Sequence, residues 1–336
     1  MILQPDVTVG RNAVPLLDLS ENLAPVPSAA LARAARDGGR TAAPGRIREA
    51  LARTAGITPE QVLPANGSLE LIHRLCRGVM TPAMTVAVLA PTFGEFARAA
   101  AAVGARVTTL AAAEADGFAW RIPDVAARLR DLRPDWVFLC NPNNPTGGWL
   151  RQAEVEALVA AAAPGRIVLD EAYIDFVEGA WDAVPLVGRG VVLLRSITKL
   201  HGMVAMQFGH LTADAGLVAR LADLEPRWDV NEFAAATALA ALADPAHGPR
   251  VRAVVREARA GLAAALQGLG LKPMPSVTNF ILVRVPDSRA ARWALLRERI
   301  LVKDGGEIGL PGFLRVSVPH PDDLPRVAAA FRRVLA

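Results

Sequence analysis

The sequence predicts an α/β protein with a large domain built on a mostly parallel sheet and a smaller α+β C-terminal domain. Between residues 85 and 196, strands that are apolar throughout alternate with helices of about 10–15 residues. This pattern is typical of a parallel sheet covered on both faces. The chain has 336 residues, of which 52% are hydrophobic, which fits a large domain plus a smaller one.

The N-terminal part of the chain is punctuated by Pro and Gly and contains one predicted helix over residues 28–36. A second helix begins at Arg46, has apolar residues at helical spacing and ends at Gly56. The segment VLPANGS predicts a short strand and a turn, and a third helix begins at Ser68.

From residue 85 the predicted strands are TVAVLA, ARVTTLA, DWVFLCN, RIVLDEAY and GVVLLRS. The predicted helices between them are TFGEFARAAAAVG, IPDVAARLRDL and AEVEALVAAAA. An open sheet of this kind binds its ligand at the carboxyl ends of its strands. We therefore expect the chemistry to lie just after VFLC, IVLD and VLLRS.

Beyond Asn231 the chain is helix-rich, and it then alternates the strands VTNFILVRV, LVKD and FLRVSV with the helices ARWALLRERI and DDLPRVAAAFRRVL. This pattern predicts an α+β unit. We expect an N-terminal arm over residues 1–45 that packs with the small domain, a large domain over 46–235, and the small domain over 236–336.

Composition excludes several classes of function. The net charge is +4, and the arginines are scattered rather than clustered, so no nucleic-acid interface is expected. No segment reaches the ~18 apolar residues of a membrane span, and no signal peptide is expected at the N-terminus. Cys76 and Cys140 form no CxxC pattern, which predicts a reducing compartment, a cytoplasmic protein and no metal site.

Three predicted strand ends carry polar motifs, namely NPNNPTG at 141–147, DEAY at 170–173 and SITK at 196–199. Taken alone, Lys199 could be a solvated loop lysine and Asp170 a helix N-cap. Together they match the needs of a pyridoxal 5′-phosphate (PLP) site. Such a site requires an amine that binds the cofactor covalently, a carboxylate at the pyridinium nitrogen, and donors to the phenolic oxygen, here Asn144 and Tyr173.

The segment NGSL at 66–69 predicts an anion-binding cradle at the start of a helix. Free backbone N–H groups of Gly67, Ser68 and Leu69, with the positive end of the helix dipole, bind phosphate at such a position. The alternative interpretation is that Ser68 is an ordinary N-cap. The hydroxyls of Ser196 and Thr198 could add contacts to the same phosphate.

Taken together, these motifs resemble those of a fold-type-I PLP enzyme of the class I/II aminotransferase family. The segments that carry the resemblance, in chain order, are NGSLELI, PTFGEF, CNPNNPTG, LDEAYIDF, SITK, TNFILVRV and FLRVSV. Within the family the chain is most similar to the histidinol-phosphate aminotransferases and to the threonine-phosphate decarboxylases of cobalamin synthesis. The resemblance implies the PLP-dependent transferase fold, an anionic small-molecule amino substrate, and a homodimer with the active site at the subunit interface.

The resemblance also implies roles for the cofactor residues. Lys199 would hold PLP as a Schiff base and move the substrate proton, and Asp170 would pair with the pyridinium nitrogen. Asn144 and Tyr173 would contact the phenolic oxygen, with Tyr173 also counted among the catalytic residues. Phe93 would stack on the ring, or else it is a core aromatic. The residues expected around the phosphate are Gly67, Ser68, Leu69, Ser196, Thr198 and Gln207.

Three residues are implied as substrate contacts. Arg315, in FLRVSV, would clamp the α-carboxylate as a planar bidentate donor, the alternative being an arginine on a strand surface. Asn22 is a second candidate. Lys303, in LVKD, stands where relatives commonly have an arginine facing the distal phosphate of the substrate, and lysine acts there as a point charge.

The chain departs from the family pattern around the cofactor phosphate. Gln207 stands where relatives have an arginine, and it donates hydrogen bonds without a charge. His210 replaces the usual tyrosine, and Ala43-Pro44 is the nearest match to a Tyr-Pro pair that the partner subunit supplies. These changes predict weaker binding of the cofactor phosphate. The residues that could restore a charge are Arg195, His201 and Lys303.

The preferred hypothesis is transamination of an amino acid or amino-alcohol phosphate through Lys199, with a common amino acid such as glutamate as the second substrate. The alternative within the same chemistry is decarboxylation of an O-phospho amino acid, because the sequence does not specify which Cα bond stands perpendicular to the ring. A further alternative is a non-catalytic member kept for binding. Gln207 and Ala43 motivate it, whereas the presence of Lys199 and Asp170 opposes it.

Overall fold

The computed structural model describes residues 15–36, 44–203, 206–224 and 230–335. The strands are β1 (Leu17–Asp18), β2 (Val62–Ala65), β3 (Thr85–Ala90), β4 (Arg106–Ala111), β5 (Trp136–Cys140), β6 (Arg166–Asp170), β7 (Val191–Ser196), β8 (Gly209–Thr212), β9 (Phe280–Arg284), β10 (Ile300–Leu301), β11 (Lys303–Asp304) and β12 (Phe313–Ser317).

The helices alternate with these strands up to β8 and dominate the chain after it. They are α1 (Ala30–Arg36), α2 (Pro44–Ala55), α3 (Ser68–Val79), α4 (Glu95–Ala102), α5 (Ile122–Leu132), α6 (Gln152–Ala162), α7 (Thr198–His201), α8 (Ala215–Ala222), α9 (Glu232–Leu242), α10 (His247–Gln267), α11 (Ser288–Arg297) and α12 (Leu324–Leu335).

Seven strands form the large sheet, in the order β2-β8-β7-β6-β5-β3-β4. Strands β3 to β7 pair in parallel, and β8 alone runs antiparallel to both of its neighbours. The prediction of an α/β fold on a mostly parallel sheet is therefore confirmed. The carboxyl ends of β5, β6 and β7 lie side by side, so the three polar motifs that follow them meet at one edge.

Two local predictions need correction. No strand was predicted at β8, whose four residues GHLT lack an apolar run and pair only because β2 and β7 flank them. The strand RIVLDEAY was predicted to continue to Tyr173, but β6 ends at Asp170. It ends there because the Asp170 carboxylate accepts a hydrogen bond from the Ala172 N–H at 2.9 Å, which closes a turn.

The inner parallel strands β3, β5, β6 and β7 are buried on both faces, which explains why they are almost entirely apolar, whereas the edge strand β4 is partly exposed. In β5, Trp136, Phe138 and Cys140 face the cluster that includes helices α3 and α4. Val137 and Leu139 face the cluster that includes helices α5 and α6. The Phe138 ring stacks on Phe96 of α4, with 5.0 Å between ring centroids.

A second, antiparallel sheet has the order β11-β12-β9 and packs against α10, α11 and α12. The N-terminal segment joins this part of the molecule, because β1 pairs in parallel with β10. The division of the chain into domains at residues 45 and 235 stays a prediction.

Among the residues that the structure describes, no helix combines the length and the apolar character needed to cross a bilayer.

Replacing the fully buried Phe138 tests the packing that supports the strand before NPNNPTG. Phe138→Ala removes a ring held between β5 and α4, so we expect the free energy of unfolding to fall by about 3–5 kcal/mol. Urea denaturation followed by circular dichroism measures it. Leu224→Ala, at a 51% exposed position, serves as the control and should change the value by less than about 0.5 kcal/mol. Equal losses in the two variants would contradict this account of the core.

Candidate active site

A cavity of about 310 Å³ lies at the carboxyl edge of the parallel strands. All the site residues predicted from the sequence line it, except Gly67, which adjoins the lining residue Ser68. The lining residues are Ser20, Glu21, Asn22, Ser68, Leu69, Phe93, Cys140, Asn144, Asp170, Ala172, Tyr173, Ser196, Thr198, Lys199, Gln207, Lys303 and Arg315.

A larger and shallower depression, of about 990 Å³, lies at the opposite edge of the sheet, where β5 and β6 begin. Its lining includes Trp136, Arg166 and Asp214 but none of the predicted site residues. The smaller cavity is the better candidate, because it unites the lysine, the buried carboxylate and the anion cradle.

Lys199 follows the end of β7 and lies on the short helix α7. Its Nζ donates a hydrogen bond to the Glu21 carbonyl oxygen at 3.4 Å. Burial lowers the pKa of Lys199 below its usual value; Arg315 adds to this effect, whereas Glu21 and Asp170 oppose it. A depressed pKa brings the amine closer to the neutral form that acts as a nucleophile or base.

Asp170 is the last residue of β6 and is only 3% exposed. Burial raises the pKa of Asp170 to about 6, although the Ala172 N–H and the charge of Lys199 lower it. A carboxylate in this position favours a cationic partner, since burial is costly for an uncompensated charge. That is the environment expected for a group that pairs with a pyridinium nitrogen.

The three asparagines of NPNNPTG have different tasks. The Asn141 amide bonds the backbone of Leu150 in both directions, and the Asn143 amide donates to the Pro91 carbonyl oxygen at 2.8 Å. These bonds fix the loop. Asn144 lines the cavity, and its Oδ1 accepts a hydrogen bond from Arg315 Nη1 at 2.7 Å.

Arg315, on β12, reaches the cavity from the small sheet. Its Nη2 donates to the Ser20 carbonyl oxygen at 2.6 Å, and its guanidinium carbon lies 5.6 Å from the centroid of the Phe280 ring. Its Nε is buried and has no hydrogen-bond partner among the described residues. The guanidinium is therefore held in place through Nη1 and Nη2, while its buried Nε–H is unsatisfied among the described residues.

Tyr173 is buried beside Phe280, with ring centroids 5.1 Å apart in an edge-to-face arrangement. Its hydroxyl accepts a hydrogen bond from Asn22 Nδ2 at 3.2 Å, and Asn22 Oδ1 accepts one from Ser317 Oγ at 3.0 Å. Burial raises the pKa of Tyr173 to about 12, so the phenol keeps its proton near neutral pH. Tyr173 is thus available as a donor.

The anion cradle depends on two glycines. Gly67 has φ +90°, and a Cβ there would lie 2.9 Å from Gln207 Oε1. A Cβ on Gly209 would lie 2.7 Å from the Ser68 nitrogen, so β8 passes directly beside the start of α3. Side chains at these positions would displace the backbone N–H groups that the cradle needs.

Two hydroxyls complete this side of the cavity. Ser196 Oγ lies 3.5 Å from the Phe208 carbonyl oxygen, and Thr198 Oγ1 lies 3.3 Å from it. Gln207, the residue before Phe208, also lines the cavity.

Of the three residues that could replace the charge of the missing arginine, Lys303 lines the cavity and the other two lie elsewhere. Arg195 Nη2 pairs with Glu171 Oε2 at 2.8 Å, and His201 Nδ1 lies 2.9 Å from Ser28 Oγ. Burial lowers the pKa of His201 to about 4, so it is neutral near pH 7. Arg195, His201 and His210 do not line the cavity. Ala43 lies outside the described residues.

Sequence reasoning missed Ser20, Glu21, Cys140 and Ala172 as lining residues. Ser20 and Glu21 bind Arg315 and Lys199 through their carbonyl oxygens, which any residue type supplies, so these hydrogen bonds leave no side-chain signal in the sequence. Cys140 is buried, donates to the Pro142 carbonyl oxygen and packs in the core.

The chain is similar to known proteins over most of its length. The sequence profile described as aminotransferase class I and II matches residues 15–331. The histidinol-phosphate aminotransferase of Symbiobacterium thermophilum is 35% identical over 97% of this chain and 92% of its own length. The histidinol-phosphate aminotransferase of Xanthomonas campestris pv. campestris (strain 8004) is 36% identical over 86% of this chain and 83% of its own length.

Two solved structures show the same fold. Histidinol-phosphate aminotransferase from Sinorhizobium meliloti, solved in complex with pyridoxal 5′-phosphate, has a TM-score of 0.86 at 24% identity, covering 96% of this chain and 91% of that one. Aspartate aminotransferase from Thermus thermophilus with maleate has a TM-score of 0.81 at 24% identity, covering 96% and 92%. The fold predicted from the motifs is confirmed.

The buried Asp170 should destabilise the ligand-free protein in a pH-dependent way. Its folded-state pKa, about 6, lies above the ordinary value of 3.8, so the folded state binds more protons between these values. The free energy of unfolding therefore falls as pH rises from about 4 to about 6. Asp170→Asn removes this effect and should stabilise the protein at pH 8 by on the order of 1–3 kcal/mol.

Thermal unfolding of the two proteins at pH 3.5 and pH 8 tests this expectation. The difference should vanish at the lower pH, and Asp131→Asn, at an exposed helix position, should show no such dependence. A less stable Asp170→Asn variant at pH 8 would contradict the account of Asp170 as a desolvated charge.

Proposed function

The chain belongs to the class I and II aminotransferase family, and from that membership we propose that it is a PLP-dependent aminotransferase acting on histidinol phosphate or a close phosphorylated amine. The observation that carries the proposal is the meeting of Lys199, Asp170, Asn144 and Tyr173 around one cavity. The name of the curated relatives supplies the substrate class.

The residues of the cavity fit PLP. Asp170 is a buried carboxylate that forms no ion pair with any cation in the described part of the chain, and the Gly67 position would be filled by any Cβ. In this assignment Asp170 pairs with the ring nitrogen, Asn144 and Tyr173 contact the phenolic oxygen, and Phe93 covers the ring. The phosphate contacts come from Gly67, Ser68, Leu69, Ser196, Thr198 and Gln207. When bound, PLP supplies an aldehyde for the substrate amine and an electron-withdrawing ring.

Lys199 has two tasks in this proposal. Its Nζ would hold the cofactor, and as a free amine it would take the proton from the substrate Cα. The depressed pKa of Lys199 favours both tasks, because both need a neutral amine. The hydrogen bond to the Glu21 carbonyl oxygen, at 3.4 Å, orients Nζ. This acceptor is an uncharged backbone group and not a carboxylate.

Arg315 is proposed as the anchor for an anionic group of the substrate. Its guanidinium is oriented by Asn144 and Ser20 and has a buried Nε without a partner among the described residues. An arginine held in this way loses little conformational entropy when it binds a carboxylate or phosphate. Asn22 and Lys303 also line this end of the cavity and complete the proposed substrate site.

We also propose a homodimer with the cavity at the subunit interface. Leu69 and Gln207 line the cavity mouth and are exposed, Leu69 by 44%. A second subunit would cover them, in keeping with the prevalence of two-fold dimers.

Cys76 and Cys140 are buried and unpaired, which supports the proposal of a reducing, cytoplasmic location.

The two alternatives raised by the sequence gain no support. The relatives named above are aminotransferases, and no feature of the cavity favours loss of CO₂ over loss of the Cα proton. The non-catalytic alternative would be favoured by loss of the lysine or its carboxylate partner, yet Lys199 and Asp170 face the same cavity.

Lys199→Ala tests the proposed chemistry. The wild type with added PLP should show a visible absorption band and convert histidinol phosphate and 2-oxoglutarate into a ketone and glutamate. We expect the band to be absent from the variant and the rate to fall by about 10²–10⁴-fold or more, since both covalent attachment and proton transfer are lost.

Lys272→Ala, outside the lining of the cavity, is the matched control and should leave the band and the rate unchanged. Release of CO₂ from an O-phospho amino acid, with no ketone formed from histidinol phosphate, would overturn the aminotransferase proposal in favour of decarboxylation. A wild type that shows no band at high PLP concentration would overturn the proposal of an enzyme.

Gln207→Arg tests the proposed phosphate subsite. Gln207 lies against Gly67 and carries no charge, so an arginine there should tighten PLP binding by about tenfold through a charge-assisted hydrogen bond. Spectroscopic titration of the cofactor-free protein with PLP measures the dissociation constant. Gln267→Arg, at an exposed position of α10, gives the same change in net charge and should have no effect. Weaker binding in Gln207→Arg would place the phosphate elsewhere.

A further inference from the structure

Lys303, at the substrate end of the cavity, is held by a carboxylate that does not line the cavity. Its Nζ lies 2.6 Å from Glu307 Oε2, and both side chains are partly exposed. An anionic group of a substrate that uses Lys303 therefore meets a charge that Glu307 already neutralises.

Glu307 has a second cation within reach. Its Oε1 lies 3.9 Å from Arg292 Nη1 on helix α11. Arg292 is already fixed, because its Nε donates to the Val302 carbonyl oxygen at 3.2 Å and its guanidinium lies over the Trp293 ring. Two cations thus share one carboxylate, and the cluster keeps a net charge of +1.

The backbone that carries Glu307 is rigidly placed. Glu307 lies in a short turn at Gly305–Ile308, which begins at the buried Asp304. The Asp304 Oδ1 atom accepts hydrogen bonds from the Gly306 N–H at 3.0 Å and from Ser288 Oγ at 2.7 Å. Only the Glu307 side chain needs to move for the carboxylate to exchange between Lys303 and Arg292.

We propose that Glu307 is a specificity-determining residue that competes with the anionic end of the substrate for Lys303, and that Arg292 holds Glu307 when Lys303 binds that anion. The inference rests on the proposed function, in which this end of the cavity receives a phosphate. Glu307 and Arg292 act through Lys303 and are positioning residues.

When a substrate anion binds Lys303, the Lys303–Glu307 ion pair is exchanged for a Lys303–anion pair. The free energy of this exchange contributes to the affinity for the substrate. Breaking a partly exposed ion pair costs little, roughly 0.2–1 kcal/mol. Arg292 recovers part of that cost, and a phosphate dianion attracts Lys303 more strongly than one carboxylate does. A neutral substrate end leaves the Lys303–Glu307 pair intact. The pair therefore changes the binding of phosphorylated amines and leaves that of unphosphorylated ones unchanged.

Glu307→Gln tests the inference, with PLP-loaded protein and two substrates, histidinol phosphate and histidinol. We expect KM for histidinol phosphate to fall by about two- to fivefold, kcat to stay constant, and KM for histidinol to stay constant. Lys303→Met should raise KM for histidinol phosphate by about tenfold or more. In Arg292→Gln that KM should rise by about twofold.

The matched control is Glu298→Gln, which removes a carboxylate that pairs with Arg333 outside the cavity. This variant should leave KM and kcat unchanged for both substrates. An unchanged or higher KM for histidinol phosphate in Glu307→Gln would overturn the inference, as would a parallel change for histidinol, which would indicate a merely structural role.

Binding of inorganic phosphate to the PLP-loaded proteins, measured by calorimetry, separates the two proposals. Tighter phosphate binding in Glu307→Gln and weaker binding in Lys303→Met, without turnover of histidinol phosphate, would uphold the role of Glu307 and overturn the proposed substrate. Turnover of histidinol phosphate with identical phosphate binding in all variants would uphold the substrate and overturn the role of Glu307.

Discussion

The site depends on one constraint, a carboxylate buried where a strand ends. Asp170 is the last residue of β6 and is buried, so its charge is not solvated by water. The Ala172 N–H and the nearby Lys199 offset this only in part, as the pKa near 6 shows. The other groups are arranged around this charge, since the parallel register of β5, β6 and β7 brings Cys140, Asp170 and Leu194 level with one another. A cationic group on a ligand would offset the remaining free-energy cost of burying the Asp170 charge.

The N-terminal segment joins the two sheets at the cavity. Leu17 and Asp18 pair with β10, the Ser20 carbonyl oxygen accepts from Arg315, and the Ala24 N–H donates to the Lys199 carbonyl oxygen at 3.0 Å. Asn22, with φ +53°, turns its amide toward Tyr173 and Ser317. A few residues thus connect helix α7, which carries Lys199, to the small sheet, which carries Arg315. The positions of Lys199 and Arg315 are coupled through this segment.

Sequence reasoning predicted what depends on local pattern and missed what depends on tertiary pairing. The apolar strands were predictable, because burial on both faces requires a contiguous run of apolar residues. The motifs after them were predictable, because an open parallel sheet binds its ligand at the carboxyl ends of its strands. Strand β8 was not, since GHLT becomes a strand only between β2 and β7. The carbonyl contacts of Ser20 and Glu21 carry no side-chain signal. The partnership of Glu307 with Lys303 and Arg292 needs the fold of α11 against the turn at 305–308.

The chain contains a single tyrosine, and that residue is Tyr173. Its phenol is buried between Asn22 and Phe280, at the point where the two sheets meet the cavity. A protein grown on 3-fluorotyrosine would therefore carry one fluorine nucleus, and its ¹⁹F spectrum would report on this place without overlap from any other residue. The chemical shift of that one resonance would follow ligand binding and the approach of the two sheets in solution.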